Sequence, residues 1–290
     1  MGRRLTFQAE SCQKGIPLRE FLRRQGITAS LIREVKYRGD GFWADGKPVF
    51  TDYLLQGGEK ISLELPPEKD TGVLPQDLPL HISYEDQEAI VLDKPAGMAV
   101  HPTLTIKEGP LANAWMGELR RRGETGIFRP LNRLDKNTSG LVLCARDAFA
   151  ASRLPKTCQK KYLAIARGEM PLGPGRIEAP IDRAQDSIIR RRVYEGGKPS
   201  LTEYWVLAAA GGYSLLEVEP KTGRTHQIRV HMAWVGHPLA GDDLYGEDKA
   251  LSRHALHCGV LTFEGMTGPV EVRSPLPEDM RRLAQKTGIV

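Results

Sequence analysis

The chain has 290 residues, of which 40% are hydrophobic and 27% charged, with a formal net charge of +5. That is enough for one large domain and a small one. No apolar run approaches the roughly 18 residues that span a bilayer, and no apolar segment follows the basic N-terminus as in a secretory signal. These features exclude an integral membrane protein of helical type and lead to the expectation of a cytoplasmic protein with no membrane partner. Met1-Gly2 with Thr6 matches an acylation pattern, a poor match because Arg3 and Arg4 intervene.

Cys12, Cys144, Cys158 and Cys258 are scattered without a C-x-x-C pair, which fits a reducing compartment, and Cys144 reads as a small core residue. His226 and His231, or His254 and His257, lack a thiol or carboxylate that would complete a ligand set, so no metal and no cofactor is expected. Lys and Arg dominate residues 1–40 and 115–165, whereas Asp and Glu dominate 66–100. Two basic zones flanking an acidic one fit a track for a polyanion, with solvated helix faces as the alternative.

Residues 1–66 read as a unit of their own. Leu18, Phe21 and Leu22, then Leu31, Ile32 and Val35, recur at helical spacing on either side of Gly26. Ser30 is the expected N-cap of the second helix. Short strands follow, with turns at Gly39-Asp40-Gly41 and Asp45-Gly46, and end in the alternating Lys60-Ile61-Ser62-Leu63-Glu64-Leu65. The outward helix faces carry Arg19, Arg23, Arg24, Arg33 and Lys36. This arrangement resembles an S4-type RNA-binding domain, which would make those five cations RNA contacts. Residues 67–80, rich in proline, read as a linker. Beyond it, strand-like runs at 82–84, 89–92, 141–144, 162–166, 204–208 and 214–218 are mixed with helices at 112–122 and 278–287. Without strict alternation this predicts an α+β domain over 81–290, built on a mixed sheet.

Four polar clusters could carry chemistry. Asn132-Arg133-Leu134-Asp135-Lys136-Asn137-Thr138-Ser139-Gly140 sets one carboxylate between two cations in a turn before an apolar run. Such surroundings keep Asp135 ionised, as a nucleophile or base requires, although a turn-capping role is the simpler reading in isolation. Asp93 to Pro102 forms a rigid turn able to shape a pocket edge. In Lys160-Lys161-Tyr162-Leu163-Ala164, alternation puts Tyr162 with Lys160 and Ala164 on one face, as a stacking platform or a core aromatic. In Thr222 to His231, a helix starting near Thr225 would place His226, Arg229 and Met232 on one side. A segment this polar is an unlikely piece of core. Gly236 to Asp242 reads as an architectural loop.

These clusters, in this order, resemble the motifs of the RluA family of pseudouridine synthases: H-R-L-D-x-x-T-S-G, K-P-x-G-x-x-V-H-P, K-x-Y and T-G-R-T-H-Q-I-R-x-H. Gly197 to Thr202 and Leu256-His257-Cys258 are weaker echoes. The resemblance implies a mainly antiparallel sheet of pseudouridine synthase type and conversion of uridine to pseudouridine in RNA without cofactor. It makes Asp135 the catalytic aspartate, Arg229 its ion-pair partner ahead of Arg224, and Tyr162 the residue that stacks on the base and takes its C5 proton. Arg133 would fill the space of the flipped uridine, and Asn132, Lys94, His101, Thr138, Arg224 and His226 would contact substrate. Asn132 stands where the family often has His, and an amide does not titrate near neutrality. The resemblance further implies structured ribosomal RNA as partner, with transfer RNA as the alternative; a monomer is the default expectation. The competing readings are a glycosidase-like hydrolase pairing Asp135 with Asp93, and a non-catalytic RNA-binding protein.

Overall fold

The structure, a computed structural model, describes residues 3–68 and 71–290. Met1 and Gly2 of the acylation pattern, and Lys69 and Asp70 of the expected linker, lie outside the described residues.

The N-terminal part is an antiparallel sheet backed by two helices. Its elements are β1 (Arg4–Gln8), α1 (Leu18–Arg24), α2 (Ala29–Arg38), β2 (Phe42–Ala44), β3 (Lys47–Val49) and β4 (Lys60–Glu64), in sheet order β1-β4-β2-β3. The apolar stripe read from the sequence is the core: Leu18, Phe21, Leu22 and Val35 have no exposed surface. Burying each stabilises by about 1.5–3 kcal/mol. Helix α2 starts earlier than expected. Thr28, not Ser30, is its cap, accepting the Leu31 amide on Oγ1 at 3.2 Å. Asp45 takes a left-handed conformation in its turn and accepts from the Lys60 amide at 2.9 Å.

The larger part carries β5 (His81–Glu85), β6 (Ala89–Lys94), α3 (Leu111–Arg122), β7 (Ser139–Ala145), α4 (Ala148–Arg153), β8 (Gln159–Arg167) and β9 (Gly173–Glu178). It continues through β10 (Ile181–Arg183), β11 (Arg191–Val193), β12 (Leu201–Ala210), β13 (Tyr213–Pro220), α5 (Gln227–Trp234), β14 (Leu256–Glu264), β15 (Pro269–Arg273) and α6 (Glu278–Thr287). One sheet runs β5-β6-β7-β14-β8-β13-β12-β9, with β15 also on β14. All its pairs are antiparallel except β7 with β14, so the expected mixed, mainly antiparallel α+β sheet is present. Among the strands, β1, β9, β10, β11 and β15 are not apparent as periodic runs, because they are short or half-exposed. The long, mostly buried β14 is not read as a strand either, only its Leu256-His257-Cys258 start as a motif echo.

Every residue of β7 is buried, which is why its sequence is continuously apolar rather than alternating. Its parallel contact with β14 is brief, His257 opposite Ser139 and Cys258 opposite Gly140. Gly140 sits there at φ +109°, and a Cβ would lie 2.3 Å from the Cys258 carbonyl oxygen. Only glycine fits. Part of the proline-rich segment before β5 is packed rather than free. Asn113 of α3 donates to the Leu74 carbonyl and accepts from the Gln76 amide through its own carbonyl, while a Cβ on Gly117 would overlap Gln76 oxygen at 1.9 Å.

Candidate active site

The polypeptide before β7 is sewn to it. The Leu131 amide donates to Leu143 oxygen at 2.7 Å, and Asn132 continues the ladder with its side chain, accepting from the Leu143 amide at 2.8 Å and donating to Leu141 oxygen at 3.1 Å. Asn132 is therefore buried and facing the strand. Expected as a substrate contact, Asn132 here bonds the strand as a backbone group would, a role that needs no titration.

Beyond Asp135, each of the next four residues is held by a different donor or acceptor. Lys94 donates to Lys136 oxygen at 3.1 Å and Arg253 to Asn137 oxygen at 3.2 Å. Thr138 Oγ1 lies 2.8 Å from His254 Nε2, and Ser139 Oγ 3.0 Å from His257 Nδ1. The Thr138 amide closes the turn onto Asp135 oxygen at 3.1 Å. A loop pinned this densely does not drift, so its one half-exposed carboxylate has a defined position.

Lys94 has no exposed surface and also donates to Pro95 oxygen at 2.9 Å and Met98 oxygen at 2.8 Å. Burial, with Arg253 nearby, pulls its pKa down to about 7, while three carbonyl acceptors match the three protons of an ammonium. Thr138 is buried as well. Both are expected substrate contacts; here their polar side-chain atoms bond protein, Lys94 three carbonyls and Thr138 the His254 ring.

Asp135 Oδ2 faces Arg229 Nη1 at 3.4 Å and His226 Nε2 at 3.7 Å. Helix α5 starts at Gln227, two residues later than expected, with His226 at its N-cap in a left-handed conformation, φ 57°. That strained backbone aims the imidazole at Asp135 and at Tyr245, whose hydroxyl lies 2.8 Å from Nδ1. Burial and the cations Arg229 and Arg191 lower the His226 pKa despite Asp135, so the ring is neutral at pH 7. Contrary to the sequence reading, half of the Thr222–His231 cluster is core. Gln227 to His231 are buried, and His231 spends both nitrogens on Thr202 Oγ1 and Ala179 oxygen.

Arg229 is engaged more closely by a residue the sequence did not single out. Its Nε and Nη2 donate to Asp242 at 2.8 and 2.7 Å, and Tyr245 lies under the guanidinium at 5.2 Å. Burial alone would lower the Arg229 pKa, but Asp242 more than offsets it and the group stays charged. Burial would likewise raise Asp242, but Arg229 holds it below the usual carboxylate range. One guanidinium thus links the sealed Asp242 to the half-exposed Asp135, with the exposed Asp243 a third carboxylate at 3.7 Å. The only advance sign of Asp242 was its place after the tight glycine turn. Arg224 is exposed and donates to Pro199 oxygen at 3.2 Å, away from Asp135.

Tyr162 is buried, with Cys258 beside it; burial first, then the thiol and the Asp135 charge, push its phenol well above the ordinary value. It is a neutral hydroxyl at working pH. Arg133 is exposed and makes no ion pair among the described residues, and His101, also exposed, stacks edge-on against Phe128 at 5.1 Å. The five cations of α1 and α2 are all exposed, with Arg24 paired to Glu20 at 2.5 Å. The second basic zone is neutralised in part instead. Arg122 and Arg146 pair with Glu85, Arg129 with Glu68 and Arg153 with Glu88, all acids of the intervening zone. A continuous polyanion track does not follow from it. Among the described residues no group of three or more His, Cys, Asp or Glu is arranged to hold a metal ion.

The sequence profile of the RNA pseudouridylate synthases matches residues 88–234. An uncharacterized RNA pseudouridine synthase of Bacillus subtilis is 39% identical over 253 residues, covering 83% of this chain and 84% of its own. A ribosomal large subunit pseudouridine synthase D of Xanthomonas campestris is 34% identical over 261 residues, covering 82% and 78%. The solved human RNA pseudouridylate synthase domain containing 1 superposes with TM-score 0.57 at 28% identity, over 73% of this chain and 95% of that one. The chain belongs to the RNA pseudouridylate synthase family, and its activity is isomerisation of uridine in RNA to pseudouridine.

Proposed function

We propose that Asp135 is the catalytic carboxylate of this isomerisation. The observation that carries the reading is its placement: the half-exposed carboxylate of a loop pinned at four successive residues, facing a buried, permanently charged arginine. Asp135 attacks the ribose or abstracts a proton from it as the bond from C1′ to N1 breaks. The freed uracil turns and C5 bonds to C1′, displacing the Asp135 carboxylate from C1′ on the first route or taking back the C2′ proton from Asp135 on the second. The C5 proton passes to water and N1 takes one from water. Arg229, fixed by Asp242, orients Asp135 through their ion pair at 3.4 Å. Tyr162 supplies an apolar ring for the flipped base and a neutral hydroxyl for hydrogen bonding, not a phenolate base. Arg133, with Arg224, His101 and His226 around the cleft, meets the displaced nucleotide and its phosphates. The hydrolase alternative loses ground because Asp93 already accepts from Ser274 Oγ at 2.5 Å.

The same reading divides the chain into an S4-like RNA-binding domain over 1–66, a linker over 67–80 and a catalytic domain over 81–290. It assigns structured ribosomal RNA as substrate, on the strength of relatives named for the large ribosomal subunit and of the exposed cations Arg19, Arg23, Arg24, Arg33 and Lys36. The protein acts as a cytoplasmic monomer without cofactor. Its test is chemical mapping of pseudouridine in ribosomal and transfer RNA from cells with and without the protein. A site lost from ribosomal RNA supports the reading. A site lost only from transfer RNA replaces the substrate, and no lost site in any RNA removes the proposed function.

A further inference from the structure

The small domain is locked onto the large one. Arg3, just ahead of β1, donates to Glu88 at 2.6 Å and to Asp147 at 2.8 Å. Glu88 is only 3% exposed and also receives Arg153, while Asp147 caps α4 by accepting the Ala150 amide at 2.8 Å. One residue into α4, Phe149 leaves its own domain. It is buried in the core of the small domain, edge-on to Phe7 at 6.1 Å. Ser152 adds a hydrogen bond to Gly26 oxygen at 2.9 Å. A buried aromatic knob with a desolvated charge cluster beside it is the make-up of a fixed interface, not of two modules on a tether.

The lock also has a defined offset. Asp135 precedes β7 by four residues, whereas Asp147 and Phe149 follow its last residue by two and four. The seven residues of β7 rise about 3.3 Å each, so the docking point and Asp135 are roughly 20 Å apart, at opposite ends of the strand. A short RNA around the target uridine can fill the cleft without reaching the docked domain. A folded RNA that also presents a phosphate ridge at that offset can reach both.

Resting on the proposed function, we propose that Arg3 and Phe149 are specificity-determining residues. They hold the cationic helix pair at a fixed offset from Asp135, and that offset selects which uridine of a folded RNA is modified. Neither touches the reacting nucleotide. Both act through the position of α1 and α2, whose exposed Arg19, Arg23, Arg33 and Lys36 bind backbone without reading sequence.

The test compares full-length wild type with Phe149→Ala and Arg3→Glu, on the folded target RNA and on a short hairpin excised around its modified uridine. Arg3→Glu keeps the apolar knob but sets a third carboxylate against Glu88 and Asp147, so it opens the interface should Phe149→Ala fail to fold. With docking lost, the linker still tethers the small domain, so kcat/KM on the folded RNA should fall about tenfold rather than to nothing. Hairpin rates should stay within about twofold of wild type, and additional uridines of the folded RNA should become modified. Unchanged rate and site choice on the folded RNA in a soluble variant would overturn the proposal. So would equal losses on both RNAs, which would assign the two residues to the stability of the catalytic domain. Wild type that converts neither RNA would instead remove the proposed function.

Discussion

Asp242→Asn perturbs the bridge from Arg229 to its carboxylates at its sealed end. Asp242 has no exposed surface and accepts four hydrogen bonds, two from Arg229 and two from the Leu244 and Tyr245 amides at 3.0 and 3.1 Å. Asparagine keeps the oxygen that holds the amides but turns an NH2 toward Arg229 Nε–H. The lost charge-assisted bond is worth about 1.5–3 kcal/mol. Leaving a buried charge without its main partner costs about 3–5 kcal/mol. The two costs overlap, and Asp135 at 3.4 Å offsets part of them. The expected net destabilisation is about 3 kcal/mol. It is measured by urea melts of wild type, Asp242→Asn, Arg229→Met and the double variant. The double should cost less than the sum of the singles by at least about 1 kcal/mol. The isomerisation rate should also fall, since the guanidinium is no longer fixed beside Asp135. A variant within about 0.5 kcal/mol of wild type that keeps its rate would refute this reasoning.

Three further predictions concern the framework of the loop. Burial first, then Arg229, lower the His254 pKa to about 4, so its folded value lies below its ordinary 6.5. Stability is therefore fully present above pH 6.5 and lost as the pH falls toward 4, by on the order of 3 kcal/mol. His254→Gln should flatten that loss in melts taken across this range, and an unchanged slope would contradict it. Gly140→Ala forces a Cβ against Cys258 backbone at a positive φ, so soluble expression or cooperative melting should be lost, and a Tm near wild type would show that β14 yields. Asn132→Ala leaves the Leu141 carbonyl and Leu143 amide unpaired and should cost about 2–4 kcal/mol, with the loss seen in stability before it is seen in the KM for RNA.

What could be read in the sequence follows from range. Helix α6 and the inner strands other than β14 were legible because their apolar patterns are local, and the cluster around Asp135 because its residue types are unusual for a turn. The meeting of Asp135 with Arg229, 94 residues away, was legible only through the resemblance. A motif does not say which way each of its side chains points. Lys94, Asn132 and Thr138 are equally polar in the sequence, yet all three turn inward to hold backbone or a histidine. Asp242 was legible only as the end of a tight loop, because its significance lies in a neighbour on another element. Phe149 was invisible for the same reason, since it belongs to a short helix yet completes the core of a different domain.

The central claim is that Asp135 performs the chemistry and the rest of the site holds it in place. Its most direct test is single-turnover conversion of a bound uridine-containing RNA by Asp135→Asn, with affinity for the same RNA measured in parallel. The account expects RNA binding within about threefold of wild type and a rate reduced by at least about a thousandfold, the scale seen when the reacting group itself is removed. Conversion by Asp135→Asn at the wild-type rate would contradict it.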